Sequence, residues 1–170
     1  MESAELVSLA ERRVFSSSFK PLYDEGMALV EEAAEYLDGE GRAEAKRLSR
    51  VCATLYAAES MRLTTRLMQL ASWLLLQRAA NAGEMTRDQV AAEKAKVRLD
   101  TASAHDGAPG WGELPERFRD IVQHSLSLQS LVRRMDDEVY GQPQPAARPL
   151  RTTNPVSDQI TLLNTAFGRL

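Results

Sequence analysis

The sequence predicts an all-α protein, an antiparallel helical bundle of three main long helices plus short ones, followed by a flexible C-terminal tail. Three observations carry that reading. Ala, Leu, Glu and Arg abound, whereas aromatics make up 6% of the chain and β-branched runs are scarce, a balance that favours helix over strand. Apolar residues recur at spacings of three and four, which gathers them on one helical face. The links between the periodic segments are short, and short links imply antiparallel neighbours. The length of 170 residues fits one domain with a core of its own.

The elements follow in order. Residues 1–17 show a weak pattern through Leu6, Leu9 and Ala10, enough for a short first helix. Ser18 is a good cap, and Pro21 falls in a first turn, where no donor is missed. Phe19, Tyr23, Met27, Val30, Ala34 and Leu37 then share a face. Asp38-Gly39-Glu40-Gly41 stops that helix, with Gly39 suited to a left-handed cap. From Arg42 to Asn81 neither Pro nor Gly interrupts, so a single helix of about forty residues, ~60 Å long, is expected.

The first half of that stretch presents Leu48, Cys52, Leu55 and Tyr56, and the second Leu63, Leu67, Leu70 and Leu74. Met68, Ala71, Trp73, Leu75 and Leu76 extend the apolar surface nearly all round, and a helix greasy on every side is buried on every side. Burial of Leu63, Leu67, Leu70, Leu74 and Trp73 is therefore expected to be shared between the core and a homodimer interface. Ala82-Gly83 ends the helix. Thr86 and Gln89 form a capping-box pattern that opens a shorter helix to about Leu99. Residues 106–112 form a Gly-rich loop, Pro115 fits a first turn, and Phe118, Ile121, Ser125, Leu128, Val132, Met135 and Val139 line a last helix to Tyr140.

After Gly141 the composition shifts. Pro143, Pro145, Pro149 and Pro155 preclude a helix and leave little to bury, the make-up of a flexible tail. The division is a bundle over 1–140 and a tail over 141–170. The tail carries Ile160, Leu162, Leu163 and Phe167, and a greasy tip on a Pro-rich tether is the plan of a partner-docking motif.

Charge and chemistry narrow the function. A net charge of −3 supplies no global field for nucleic acid. Arg42 to Arg50 is the best basic helix, and acidic neighbours mask it. Cys52 is the sole cysteine, so no intramolecular disulfide and no cysteine-rich zinc site can form, as suits a reducing compartment. The start Met1-Glu2-Ser3-Ala4-Glu5 lacks the basic and apolar regions of a leader. The greasiest segment, Leu67 to Leu76, is half the ~20 residues a span needs. A cytoplasmic protein without membrane insertion is expected.

No catalytic signature appears. His105 and His124 lack HExxH spacing or a cysteine partner, and the glycines match no phosphate loop, so no enzyme, cofactor or metal is expected. Glu31, Glu32, Glu35, Asp38 and Glu40 face Arg42, Lys46, Arg47 and Arg50 across a turn; each cluster opposes its own helix dipole, and pairing them offsets that. A di-metal carboxylate site would need Glu-x-x-His repeats, which are absent. Asp136-Asp137-Glu138 reads as a solvated face. Glu59, Arg62 and Arg66 border the apolar stripe at spacings of three and four. They admit two readings, an ion-pair network that fixes register or the polar centre of a partner interface.

The segment from Tyr56 to Leu75, YAAESMRLTTRLMQLASWLL, together with Gly26 to Glu32 (GMALVEE), Gly83-Glu84-Met85 and Glu93 to Leu99 (EKAKVRL), resembles the regulator-of-CtrA-degradation family (RcdA) of alphaproteobacteria, also filed as a domain of unknown function. The likeness spans roughly residues 15–140 and is most specific in the long middle segment. The resemblance implies a dimerising helical core with a flexible extension and a role in cell-cycle control. It implies an adaptor for the ClpXP protease, primed by the response regulator CpdR, that concentrates at a cell pole and helps deliver degradation substrates such as CtrA. Set against it are a purely structural or assembly helical dimer and a transcriptional regulator.

Overall fold

The computed structural model describes residues 19–104 and 107–141. Those residues form five α-helices and one 3-10 turn: α1 (Phe19–Asp38), α2 (Glu40–Ala45), α3 (Arg50–Asn81), α4 (Arg87–Lys94), the turn Trp111–Glu113, and α5 (Glu116–Tyr140). The expected short helix before residue 18, His105 and the whole tail with its docking residues lie outside the described residues.

The three long helices α1, α3 and α5 pack on one another around a core that includes Leu29, Tyr36, Leu63, Leu70, Trp73, Leu74, Phe118 and Val132. Phe118 is the hinge of the aromatic end, 4.5 Å from the Tyr56 ring and 6.1 Å from the Tyr36 ring. Gly26 marks the closest approach of α1 to α3: a Cβ there would run into the Leu74 side chain. The last-helix stripe expected from Phe118 to Val139 is buried throughout.

Directions follow from which residues meet. Gly26 lies against Leu74, and Tyr36 near Tyr56, so α1 and α3 are antiparallel. His124 meets Glu25, and Phe118 meets Tyr36, so α1 and α5 are antiparallel as well. Tyr56 meets Phe118, Arg66 meets Ser125, and Trp73 meets Asp136, so α3 and α5 run parallel. The chain between them is no short link. It returns along the whole seam through α4, an extended strap over residues 97–104, and the 3-10 turn, reaching Cys52 at Gly110.

Three boundaries differ from the sequence expectation. The forty-residue helix is two helices: Ser49 turns extended and its Oγ accepts from the Cys52 amide at 3.3 Å, so a new helix starts there. Gly39 is not left-handed, with φ −109°; α1 passes almost directly into α2, so no full turn-back is needed. Gly83, at φ 71°, is left-handed and closes α3 where the sequence ends it. The capping box of Thr86 and Gln89 forms, yet α4 stops at Lys94 and not near Leu99. Of its side chains only Val90 is buried, and beyond it the chain leaves the helix and meets polar partners on α3 and α5.

The charge-paired hairpin does not form. Glu31, Glu32 and Glu35 are exposed, as are Arg42, Lys46, Arg47 and Arg50. Because α2 interrupts the expected hairpin, Glu40 pairs with Arg117 of α5 at 2.6 Å. Glu44 turns inward to accept from the Tyr36 hydroxyl at 2.6 Å. Burial first, then that carboxylate, pushes the Tyr36 hydroxyl well above the usual phenol range.

Candidate functional site

Two features of α3 stand out, one on each side of the helix. Inside, α3 and α5 form a polar trough beneath the strap. Glu59 and Arg66 are fully buried, at 0% exposure, the least common environment for charged side chains. Glu59 accepts from the Ser103 hydroxyl, from Arg62, and from the Ala104 amide at 2.8 Å. Burial pushes the Glu59 carboxyl up, but the bonds from Ser103, Arg62 and Ala104 outweigh it and hold the group below the ordinary carboxylate range.

Arg66 makes no ion pair with Glu59 among the described residues. Its Nε donates to the Thr101 carbonyl at 3.2 Å and one Nη to Ser125 Oγ at 2.8 Å, while the other Nη is buried with no partner. Burial lowers the pKa of its guanidinium, opposed by the nearby Glu59 charge. Gln129 donates to the same Thr101 carbonyl at 3.3 Å, and the Thr101 hydroxyl donates to Gln69 at 2.8 Å. The sequence triplet is thus divided. Glu59 and Arg66 anchor the strap from inside, and Arg62, nearly half exposed, caps Glu59 from solvent.

Outside, α3 shows a nearly uncharged face. Met61, Met68 and Leu75 are 73%, 67% and 49% exposed and sit seven residues apart, which aligns them in one stripe. Val51, also exposed, lies nearer the start of the helix. Between Val51 and Leu75 the only charged side chain that reaches solvent is Arg62. The hydroxyls of this face are already spent. Those of Thr54, Thr64, Thr65 and Ser72 donate to the carbonyls four residues back, at 2.8–2.9 Å. Back-bonding of this kind leaves threonine methyls outward, so the face can be covered without stranding a donor.

The stripe is flanked by two grooves. One, of about 190 Å³, runs toward α1 between Met68 and Leu37, and the other, of about 350 Å³, runs toward Lys96 and Arg98. Val30, Ala33, Ala34 and Leu37 of α1 line the first, and the Lys96 and Arg98 that line the second are ion-paired with Glu93 at 2.9 Å and Asp100 at 3.2 Å.

Leu63, Leu67, Leu70, Trp73 and Leu74, expected to be shared between core and dimer interface, are all buried inside the single chain. α1 and α5 cover two sides of the helix and the strap part of a third, so the apolar surface left over is carried by Met61, Met68 and Leu75. Asp136, expected on a solvated face, instead accepts from Trp73 Nε1 at 2.9 Å and from Lys94 at 2.8 Å. A signal for that pair was present, because a buried tryptophan needs an acceptor for its N–H. Among the described residues no group of three or more His, Cys, Asp or Glu could hold a metal ion, and no helix is long and apolar enough to cross a membrane.

A parallel pair of helices sealed by a polar strap, with α1 packed antiparallel to both, defines an all-α bundle protein whose interior polar groups serve its own chain. The chain belongs to the family described as "Protein of unknown function (DUF1465)", whose pattern matches residues 10–167, and it is RcdA-like. It is 46% identical to the RcdA of Caulobacter crescentus CB15 in that protein's crystal structure, covering 75% of this chain and 94% of that one with a TM-score of 0.62. No curated protein matches. The likeness drawn from the Tyr56 to Leu75 segment holds across the bundle.

Proposed function

We propose that this protein is a non-enzymatic proteolytic adaptor of the cytoplasm. In this reading it helps hand degradation substrates, CtrA among them, to ClpXP, with CpdR priming the protease, and it gathers with them at a cell pole. The similarity to RcdA supports a place in regulated CtrA degradation. The single observation that carries the protein-binding part is the outer face of α3. A stripe of two methionines and a leucine over ~21 Å, with its hydroxyls internally satisfied, is costly to leave in water and cheap to cover.

We assign the two ends of the chain different tasks. The bundle, within residues 1–140, holds the adaptor together, and residues 141–170 carry the docking tip Ile160, Leu162, Leu163 and Phe167. Self-association fits the α3 face. A two-fold axis parallel to α3 would set Met61, Met68 and Leu75 against their own copies.

Trapping substrates on inactive ClpP, with and without this protein, tests the adaptor role. Enrichment of specific substrates that also requires ClpX and CpdR is expected. Unchanged capture would leave the alternative of an assembly dimer with no part in delivery. Removing residues 150–170 is expected to abolish most of the enrichment while leaving the unfolding free energy of the bundle, from urea melts, within about 0.5 kcal/mol of the parent. Delivery at the full rate by the truncated chain would refute the tail's role.

A further inference from the structure

The strap lies on the α3–α5 seam as a bound peptide would. It is extended and has no internal helical or strand bonds over residues 98–104. Its backbone is read by side chains: the Thr101 carbonyl by Arg66 and Gln129, and the Ala104 amide by Glu59. Its hydroxyls at alternate positions, Thr101 and Ser103, are read by Gln69 and Glu59. This is recognition of main chain plus side chain at period two, the pattern of an extended segment laid in a groove.

Nothing in the fold requires charged groups to hold a connection down; apolar side chains would do so without desolvating two ions. Buried ions return to favourable hydration when a covering segment lifts, so a latch of this kind opens more readily than an apolar one of equal size. The trough is also unsaturated, because one Nη of fully buried Arg66 meets no acceptor.

We propose that the trough of Glu59, Arg66, Gln69 and Gln129 is a peptide-binding site that residues 101–104 occupy in this state. An extended segment of a partner protein displaces them, with small hydroxyl residues at alternate positions and a carboxylate within reach of Arg66. The inference rests on the protein-binding reading above. It adds a second binding surface, on the opposite side of α3 from the methionine stripe, that the protein's own chain keeps closed.

The test uses the full chain and a fluorescein-labelled peptide copying residues 97–104. Thr101→Val with Ser103→Ala loosens the strap and leaves every trough residue in place. Fluorescence polarisation is expected to show the peptide binding this variant at least tenfold tighter than the parent, and Glu59→Gln added to it is expected to reverse most of that gain. Hydrogen exchange supplies an independent reading: the Ala104 amide of the parent should exchange at least a hundredfold faster than amides at the centre of α3. Equal protection at the two places would mean the strap opens only with global unfolding, and would overturn the proposal. So would failure of the peptide to bind a loosened variant that still melts cooperatively in urea. Substrate trapping on ClpP stands apart from both readouts, so delivery without peptide binding would sink the trough and leave the adaptor reading in place.

Discussion

Replacing Glu59 with alanine removes the carboxylate that joins the strap to α3, and its cost can be worked from the geometry. Arg62 is nearly half exposed, so losing that ion pair contributes at most ~1 kcal/mol. The Ser103 hydroxyl and the Ala104 amide lose a charged acceptor in a buried position, each on the order of 1.5–3 kcal/mol in a rigid site. Arg66 keeps its bonds to Thr101 and Ser125 but loses the one carboxylate near it, leaving a buried cation without compensation. Lifting of the strap lets water reach these groups and recovers part of the sum. A net loss of about 3 kcal/mol is expected, equivalent to roughly 10 °C in Tm for a bundle of this size. Urea melts followed by circular dichroism give the value directly, and a double-mutant cycle assigns it. Coupling of Glu59 to Ser103 should exceed its coupling to Arg62. A loss under ~1 kcal/mol, or coupling confined to Arg62, would refute the reasoning and make the carboxylate a surface partner of Arg62.

Three further outcomes follow from the same contacts. Met68→Arg places a charge at the centre of the exposed stripe; sedimentation is expected to show loss of self-association with an unfolding free energy within about 0.5 kcal/mol of the parent, and an unchanged dimer would move the interface elsewhere. Trp73→Phe deletes the N–H that Asp136 accepts and shrinks a fully buried ring, for an expected loss of ~2–3 kcal/mol in the same melt, and a change below ~0.5 kcal/mol would show the bond contributes nothing. Glu59 has its folded pKa depressed, so its ionisation stabilises the fold above the unfolded glutamate value of about 4.3 and that stabilisation is lost as pH falls through the lower folded value. The stability gap between parent and Glu59→Gln should narrow as pH drops below about 4, and a gap constant from pH 7 to pH 3 would contradict the assignment.

Much of the fold was legible because its signals are local. The Thr86 and Gln89 capping box, the Gly83 stop and the Phe118-to-Val139 stripe each rest on a spacing that one helix enforces alone. The break at Ser49 was less visible, since no glycine or proline marks it; a serine followed by a good helix former reads equally as interior or as cap. The parallel course of α3 and α5 was not legible, because it depends on residues 95–104 giving up helix for bonds to side chains far along the chain, as from Thr101 to Gln69. The triplet Glu59, Arg62 and Arg66 was visible as an anomaly. Its partners were not, because Ser103 and Ala104 sit in a stretch whose composition says only loop. The run from Leu63 to Leu76 was legible as apolar, but not which of its side chains face outward: Leu63, Leu67, Leu70, Trp73 and Leu74 are buried, whereas Met68 and Leu75 stay exposed and Ala71 and Leu76 are partly so.

That distribution has a consequence for how such a protein can work. An obligate dimer buries core residues across its interface, and its subunits have no stable existence apart. Here the large apolar side chains of α3, Leu63, Leu70, Trp73 and Leu74, are buried at 0–1% exposure by the chain itself. What remains outside is a narrow stripe whose threonine and serine hydroxyls are bonded within the helix, so water loses little when the face is covered and regains little when it is freed. A surface of that kind favours association of modest strength that can be exchanged without unfolding either partner. The polar interior and the apolar exterior of one helix are therefore separate surfaces: Glu59 and Arg66 meet the strap on one side, and Met61, Met68 and Leu75 stay exposed on the other.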